Sequence, residues 1–399
     1  MRLRSLVPVL AVLVATLGAG YAARARCADG VASDLAYSLC YTDMVPLYRG
    51  EGLDRGRLPY IDPCPGEQSL CDEYPVVQMW LLRAAGALSD DVRSFFDVNA
   101  VLLSAATVVA AVALASLVGR RALYLTAAPT LATYAFLNWD LYTVAMSVLA
   151  LLAFARRRDV ATGVLVGLGA STKLYPALLL IPFVADRLRA DDRAGAVRMS
   201  VAAGATWAGL NLPFALVTWE RWATFFRFSA ERPPEWSTLW YIGCRTATGA
   251  NCTAIPVVNA ASAASFVGSV AFVWWWRRRT EPSFARWTLL FPVVALFLVT
   301  TKVYSPQYSL WLLPLFATIL PRPSYFAAFS LADVLVNWFL FSWFGAVDGA
   351  PGPLMYAYQA AALARAIVLV ACVVAWARGR VGERPLVLSG AAPAAPIPA

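Results

Sequence analysis

Long apolar stretches without a charged face constrain this chain most. Residues 101–118, 201–217 and 366–377 contain no Asp, Glu, Lys or Arg. A helix packed on a water-soluble core shows a polar face every 3.6 residues, and these stretches show none. About 20 such residues cross the hydrocarbon core of a bilayer as a helix. Charged residues make up 14% of the chain, against about 25% in soluble domains. The expected fold is an all-α, polytopic transmembrane bundle in the lipid bilayer, formed as one domain over residues 1–385. An Ala/Pro-rich cytoplasmic tail is expected over 386–399.

The formal charge is +9, which in a soluble protein would raise nucleic acid as a partner. Its distribution argues against that. Arginines gather in short clusters between apolar runs, at Arg120-Arg121, at Arg156 to Arg158, between Arg187 and Arg198, at Arg277 to Arg279, and between Arg378 and Arg384. Such clusters mark cytoplasmic loops. Alternating them predicts about twelve spans, at 5–22, 96–118, 122–137, 141–155, 160–172, 174–185, 199–218, 255–276, 285–301, 306–320, 323–345 and 356–377. Both termini are then cytoplasmic, in the cell membrane. Residues 24–95 and 219–254 form outer loops, and 76–88 is too short to span and is read as an interfacial helix. The first segment is read as an uncleaved anchor, with a signal peptide cut near Ala23-Arg24-Ala25 as the rival. Each leg of 160–185 is too short for a full crossing, so that region is read as a hairpin whose tip is sheltered by protein.

Cysteine placement bears on this topology. Cys27, Cys40, Cys64 and Cys71 fall in the first outer loop, and Cys244 and Cys252 in the second. Even numbers in outer loops suggest disulfides. Cys244 is expected to bond Cys252. The four cysteines of the first loop allow three connectivities, and the local one, Cys27–Cys40 with Cys64–Cys71, is favoured.

The chain contains no histidine, which removes imidazole bases and the usual metal ligand. Proton transfer falls to carboxylates, and these concentrate outside. Asp43 follows the first span among Tyr41, Met44 and Tyr48. Partial desolvation there would raise its pKa and suit a general base; an N-cap or loop acid is the plainer reading. Glu73 can cap the 76–88 helix or face a cavity, and Asp140 can cap its helix or reach the same cavity.

Of 33 basic residues, all but Lys173 and Lys302 are arginines. Both lysines sit at expected outer helix ends in similar settings, Thr172-Lys173-Leu174-Tyr175-Pro176 and Thr301-Lys302-Val303-Tyr304-Ser305-Pro306. A compact ammonium used twice in matching places suits an anion such as phosphate, with snorkelling as the alternative. Asp333 and Arg365 lie about ten residues into their helices and reach the midplane at ~15 Å, where they are read as a structural ion pair.

With these residues in hand, the chain resembles the GT-C superfamily of membrane glycosyltransferases, and most closely glycosyltransferase family 87, which includes actinobacterial polyprenyl-phosphate-mannose-dependent mannosyltransferases. The likeness is carried by YTDMVPLY at 41–48, DEYPVV at 72–77, Asn138 to Asp140, STKLYP at 171–176 and KVYSPQYSLWLLP at 302–314. The resemblance implies transfer of a hexose, mannose above all, from a polyprenyl-phosphate donor to a cell-envelope glycan or glycolipid. The transfer would run on the outer face, with inversion, and would need neither cofactor nor metal. It implies Asp43 as base and Lys173 and Lys302 as phosphate contacts. Glu73, Asn138, Asp140, Tyr304, Gln307 and Tyr308 would line the sugar or acceptor site. The competing reading is a transporter or lipid flippase, which would place its polar site near the midplane.

The topology predicts that an impermeant thiol reagent labels Cys64 and Cys244 on reduced intact cells. Labelling only after permeabilisation would invert the orientation.

Overall fold

The computed structural model describes residues 3–28, 39–66, 71–347 and 352–379. The tail at 386–399, the last arginines of the 378–384 cluster and parts of the first outer loop lie outside the described residues. All regular structure among the described residues is helical. The chain is a polytopic helical membrane bundle.

Among the described residues, six helices are long and apolar enough to span a membrane. They are α1 (Leu3–Ala25), α2 (Val92–Val118), α3 (Arg193–Val217), α4 (Ile255–Thr280), α5 (Pro323–Val347) and α6 (Pro353–Ala377). Their starts follow local chemistry. Asp91 caps α2 by accepting from Ser94 N at 2.7 Å, and the Ser94 hydroxyl accepts from Asp91 N, which satisfies two donors that a helix start leaves open. Asp192 caps α3 by accepting from Gly195 N at 2.8 Å. Proline stands at the first turn of α4 and α6, where its missing N–H is no loss. Gly119 ends α2 at φ +60°, a conformation a side chain strains.

The remaining expected spans are shorter or interrupted helices. The segment expected at 122–137 is two pieces, Leu123–Thr126 and Pro129–Tyr134. Pro129 cannot continue the first helix, and Ala128 before it is extended. The segment expected at 306–320 opens as a 3-10 turn, Pro306–Leu312, and ends as Leu313–Thr318. The hairpin at 160–185 has legs Asp159–Ala170 and Ala177–Arg189. Its first leg lies tight on α3, because a Cβ at Gly163 would come within 2.2 Å of Met199 O and one at Gly167 within 2.4 Å of Ala203 O. Small residues four apart allow such close backbone approach between membrane helices. The hairpin tip is covered by protein: Val77 N donates to Ser171 O at 2.9 Å. Val77 belongs to the Val76–Gly86 helix, which buries Met79 and Leu82 and stands where the interfacial helix was expected.

The arginine clusters gather at the end of the bundle away from the two large loops. Arg187 binds Asp159 at 2.8 Å, Arg198 binds the other oxygen of Asp159 at 3.1 Å, and Arg277 donates to Trp376 O at 2.9 Å. The loop end is held by different chemistry. Cys27 is bonded to Cys40, Cys64 to Cys71, and Cys244 to Cys252. Beneath the first loop Arg57 sits against Asp72 and Glu51, all buried. Burial pushes the Glu51 carboxyl up to about 7. With Cys71 committed to a disulfide and Arg57 in their midst, these acids form a charge-paired loop core. It leads directly into Glu73 and Tyr74.

Deep in the bundle, Arg365 of α6 donates to Asp333 of α5 at 2.9 Å, and both are buried. Ser309 also donates to Asp333, and the Arg365 guanidinium lies 3.7 Å over the Tyr304 ring. Arg365→Leu is expected to destabilise the protein by about 3–5 kcal/mol, because Asp333 is left charged and unpaired. Adding Asp333→Leu should recover much of that loss in a thermal unfolding series. Additive losses would show that the two do not interact.

Candidate active site

The Leu137-Asn138 turn, the Lys173 hairpin tip and the start of the Pro306–Leu312 turn face one cavity of about 670 Å³ at the loop end. Its walls come from the first loop, the Leu137-Asn138 turn, the Lys173 hairpin tip, the loop around Arg232 and the 301–308 segment. This volume suits a small-molecule pocket, and its lining mixes aromatic rings with five charged side chains, Asp43, Glu73, Lys173, Arg232 and Lys302, besides Glu235.

Asp43 is held from both sides of its backbone. Asp43 N donates to Leu137 O at 2.9 Å, and the Thr42 hydroxyl donates to Phe136 O at 2.8 Å. Arg24, at the end of α1, donates to Tyr41 O at 2.5 Å and to Thr133 O at 2.8 Å. The Cys27–Cys40 bond ties the same strap to the chain after α1. Asp43 stands at the start of the Met44–Gly50 helix, yet its side chain makes no capping bond. Instead the carboxylate faces the cavity and accepts from Asn138 Nδ2 at 2.6 Å. Burial raises the Asp43 pKa, opposed by hydrogen bonds from Asn138 and Tyr41 and by the charge of Lys173. Burial also raises Glu73, and the charge of Asp43 adds to that.

Asn138 is the hub of a longer chain of bonds. Its Nδ2 also donates to the Tyr74 hydroxyl at 2.9 Å, and its Oδ1 accepts from Trp139 N at 2.6 Å and from Lys173 Nζ at 3.1 Å. Lys173 donates in turn to Asp140 Oδ2 at 2.6 Å, and the other Asp140 oxygen takes the Trp311 indole N–H at 2.7 Å. Trp311 stacks between Tyr175 and Tyr308, with centroids at 4.0 and 4.2 Å. Every polar atom of Asn138 and Asp140 is thus used, which fixes the Asn138 amide and the carboxylate it orients.

The second lysine has different surroundings. Lys302 is buried and donates to Ala230 O at 2.8 Å. Among the described residues it has no acidic partner. Burial lowers its pKa, and the neighbouring charge of Arg232 lowers it further. Arg232 donates to Glu235 Oε1 at 3.2 Å, which the Ser305 hydroxyl also reaches at 3.1 Å. Arg232 thus has one carboxylate and the neighbouring Lys302 has none among the described residues, in a partly dry pocket. An anion placed there would relieve their repulsion.

Most expected site residues meet here, with two corrections. Asp43, Glu73, Asn138, Lys173, Lys302, Gln307 and Tyr308 line the cavity. Asp140 and Tyr304 do not. Asp140 is buried behind Lys173, and Tyr304 is buried beneath Arg365 and bonded to Ser309. The lysines, similar in sequence, are not equivalent: Lys173 is neutralised by Asp140, and Lys302 by no carboxylate among the described residues. Glu73 caps no helix, since Pro75 holds that position. Sequence reasoning missed Arg232, Glu235, Arg24 and Trp311. The run Glu231-Arg232-Pro233-Pro234-Glu235 does carry a signal, as two prolines hold a charged pair in a loop that was read for its cysteines alone.

The difference between the lysines is measurable. Lys173→Met strands the buried Asp140 charge and is expected to lose about 3–5 kcal/mol of stability. Lys302→Met strands no carboxylate and should unfold within a few degrees of the parent in detergent. Equal losses would mean that the two lysines play one structural role.

The crystal structure of ArnT from Cupriavidus metallidurans bound to undecaprenyl phosphate is similar at 14% identity and a TM-score of 0.49, over 95% of this chain and 79% of that one. No curated protein matches. Residues 74–301, more than half of the sequence, match glycosyltransferase family 87. That segment holds Glu73's neighbour Tyr74, the Asn138 hub, Lys173, Arg232 and Glu235. The chain belongs to glycosyltransferase family 87 and is a membrane glycosyltransferase.

Proposed function

We propose that this protein transfers a hexose, mannose in the first instance, from a polyprenyl-phosphate sugar to a hydroxyl of a cell-envelope glycan or glycolipid. The active site faces outward and both termini lie in the cytoplasm. The observation that carries the reading is the pairing, in one cavity, of a hydrogen-bonded carboxylate at Asp43 with a corner where Arg232 pairs with Glu235 and Lys302 has no carboxylate partner among the described residues. A carrier would place its polar site near the midplane, whereas the polar groups of this cavity come from the loops and turns at one end of the bundle. Asp333 and Arg365, the pair that favours a transporter, are spent on each other.

In this scheme the donor phosphate lies against Lys302 and Arg232. Lys173 acts through Asn138, holding the amide that aims Asp43. The acceptor hydroxyl oxygen attacks the anomeric carbon from the face opposite the phosphate. Its proton passes to the Asp43 carboxylate. The bond from the anomeric carbon to the phosphate oxygen breaks, and polyprenyl phosphate leaves with the electron pair, its charge met by the two cations. One inversion results. The residues supply both the base and the countercharge, so the step as written routes through no metal or cofactor.

Asp43→Asn keeps the shape and removes the base, so transfer from a radiolabelled polyprenyl-phosphate mannose should fall by ~10²-fold or more while donor binding persists. Turnover of the parent should be lost as the pH falls through the raised Asp43 pKa, above the ordinary aspartate value of about 3.9, and be full above it. Near-normal turnover of Asp43→Asn would remove Asp43 as base.

A further inference from the structure

One carboxylate on the cavity wall has a free, buried oxygen. Glu235 Oε1 is occupied by Arg232 and Ser305, whereas Oε2 is buried with no hydrogen-bond donor among the described residues. The side chain cannot easily turn to hide it. Glu235 N donates to Lys302 O at 2.8 Å, and the Ser237 hydroxyl donates to Tyr304 O at 2.9 Å, so the 235–237 segment is pinned along the 302–305 strap. A buried carboxylate oxygen lacking a donor is unfavourable, and a ligand hydroxyl is the natural group to supply one.

We infer that Glu235 Oε2 accepts a hydrogen bond from the donor sugar, at the hydroxyl on the carbon next to the anomeric centre. The placement rests on the proposed donor site. Arg232 touches both Glu235 and the corner assigned to the phosphate. The phosphate oxygen is bonded to the anomeric carbon, and the hydroxyl closest to that linkage is the one on the neighbouring carbon. Glu235 is therefore a binding and specificity residue for the donor, distinct from the base. Its hydrogen bond to a charged acceptor discriminates against a donor lacking that hydroxyl by on the order of 10- to 100-fold.

The test compares purified full-length parent and Glu235→Ala, each with polyprenyl-phosphate mannose and with its 2-deoxy analogue. The readout is the ratio of kcat/KM for the two donors. Any change that Glu235→Ala causes through Arg232 affects both donors alike, and the intrinsic reactivity of each donor is the same for both proteins, so both drop out of the comparison. The parent should prefer the hydroxylated donor 10- to 100-fold beyond the ratio that Glu235→Ala retains. An unchanged ratio overturns the contact and leaves the donor reading standing. Transfer by the parent from neither donor contradicts the donor reading and the contact together. If Glu235→Ala does not fold, Glu235→Gln serves: with Arg232 and Ser305 both donating to its oxygen, its amide nitrogen replaces Oε2, and the same fall in ratio is expected.

Discussion

The site depends on one amide. Asn138 sits in the turn between the Pro129–Tyr134 and Asp140–Ala155 helices, and it joins Asp43 of the first loop to Lys173 of the hairpin tip through bonds of 2.6 and 3.1 Å. Asp140 and Trp311 extend that line into the 306–312 turn. Four segments far apart in sequence are thereby held in one register. In a site of low dielectric such a chain strengthens each of its members, and losing one leaves the others unsatisfied. Lys173 is best understood within this chain. Its charge balances Asp140 and steadies Asn138, which in the proposed scheme positions the carboxylate.

The breaks that make the site are the ones a lipid-exposed helix could not tolerate. Backbone polar groups at membrane depth need partners, and irregular segments survive there when packed in protein or lining a polar cavity. Here the Pro306–Leu312 turn is buried except at Tyr308, and the broken 122–137 segment buries Leu125, Thr126, Thr130, Leu131 and Tyr134 while Ala127 and Pro129 stay open. The more exposed faces belong to α3 and α4, with Leu216, Val217, Val201 and Val267 all open. Continuous helices thus meet the lipid, and broken ones surround the chemistry.

Much of this was legible in the sequence. Apolar runs without a polar face fixed the fold class, and arginine clusters marked one end of the bundle. The scarcity of lysine pointed to Lys173 and Lys302, and the absence of histidine directed attention to Asp43. The failures have physical causes. Hydropathy counts apolar residues but does not sense whether a helix is continuous, so Pro129 divides one segment read as a whole span, and another, at 306–320, opens as a 3-10 turn. Similar local sequence at the two lysines hid different partners, because Asp140 lies 33 residues from Lys173 and only the fold brings them together. Arg232 had no contrast in a chain so rich in arginine. Asp140 and Tyr304 carry groups suited to a sugar site but are spent on neighbours behind the wall.

The central claim is that donor phosphate and base occupy separate stations of one cavity. A structure of the protein with a non-transferable polyprenyl-phosphonate mannose tests it most directly. The account predicts the phosphonate oxygens within about 3 Å of Lys302 and Arg232, with Asp43 on the far side of the anomeric carbon. A phosphonate seated on Lys173, or a sugar outside the cavity with Asp43 remote from the anomeric carbon, would contradict it.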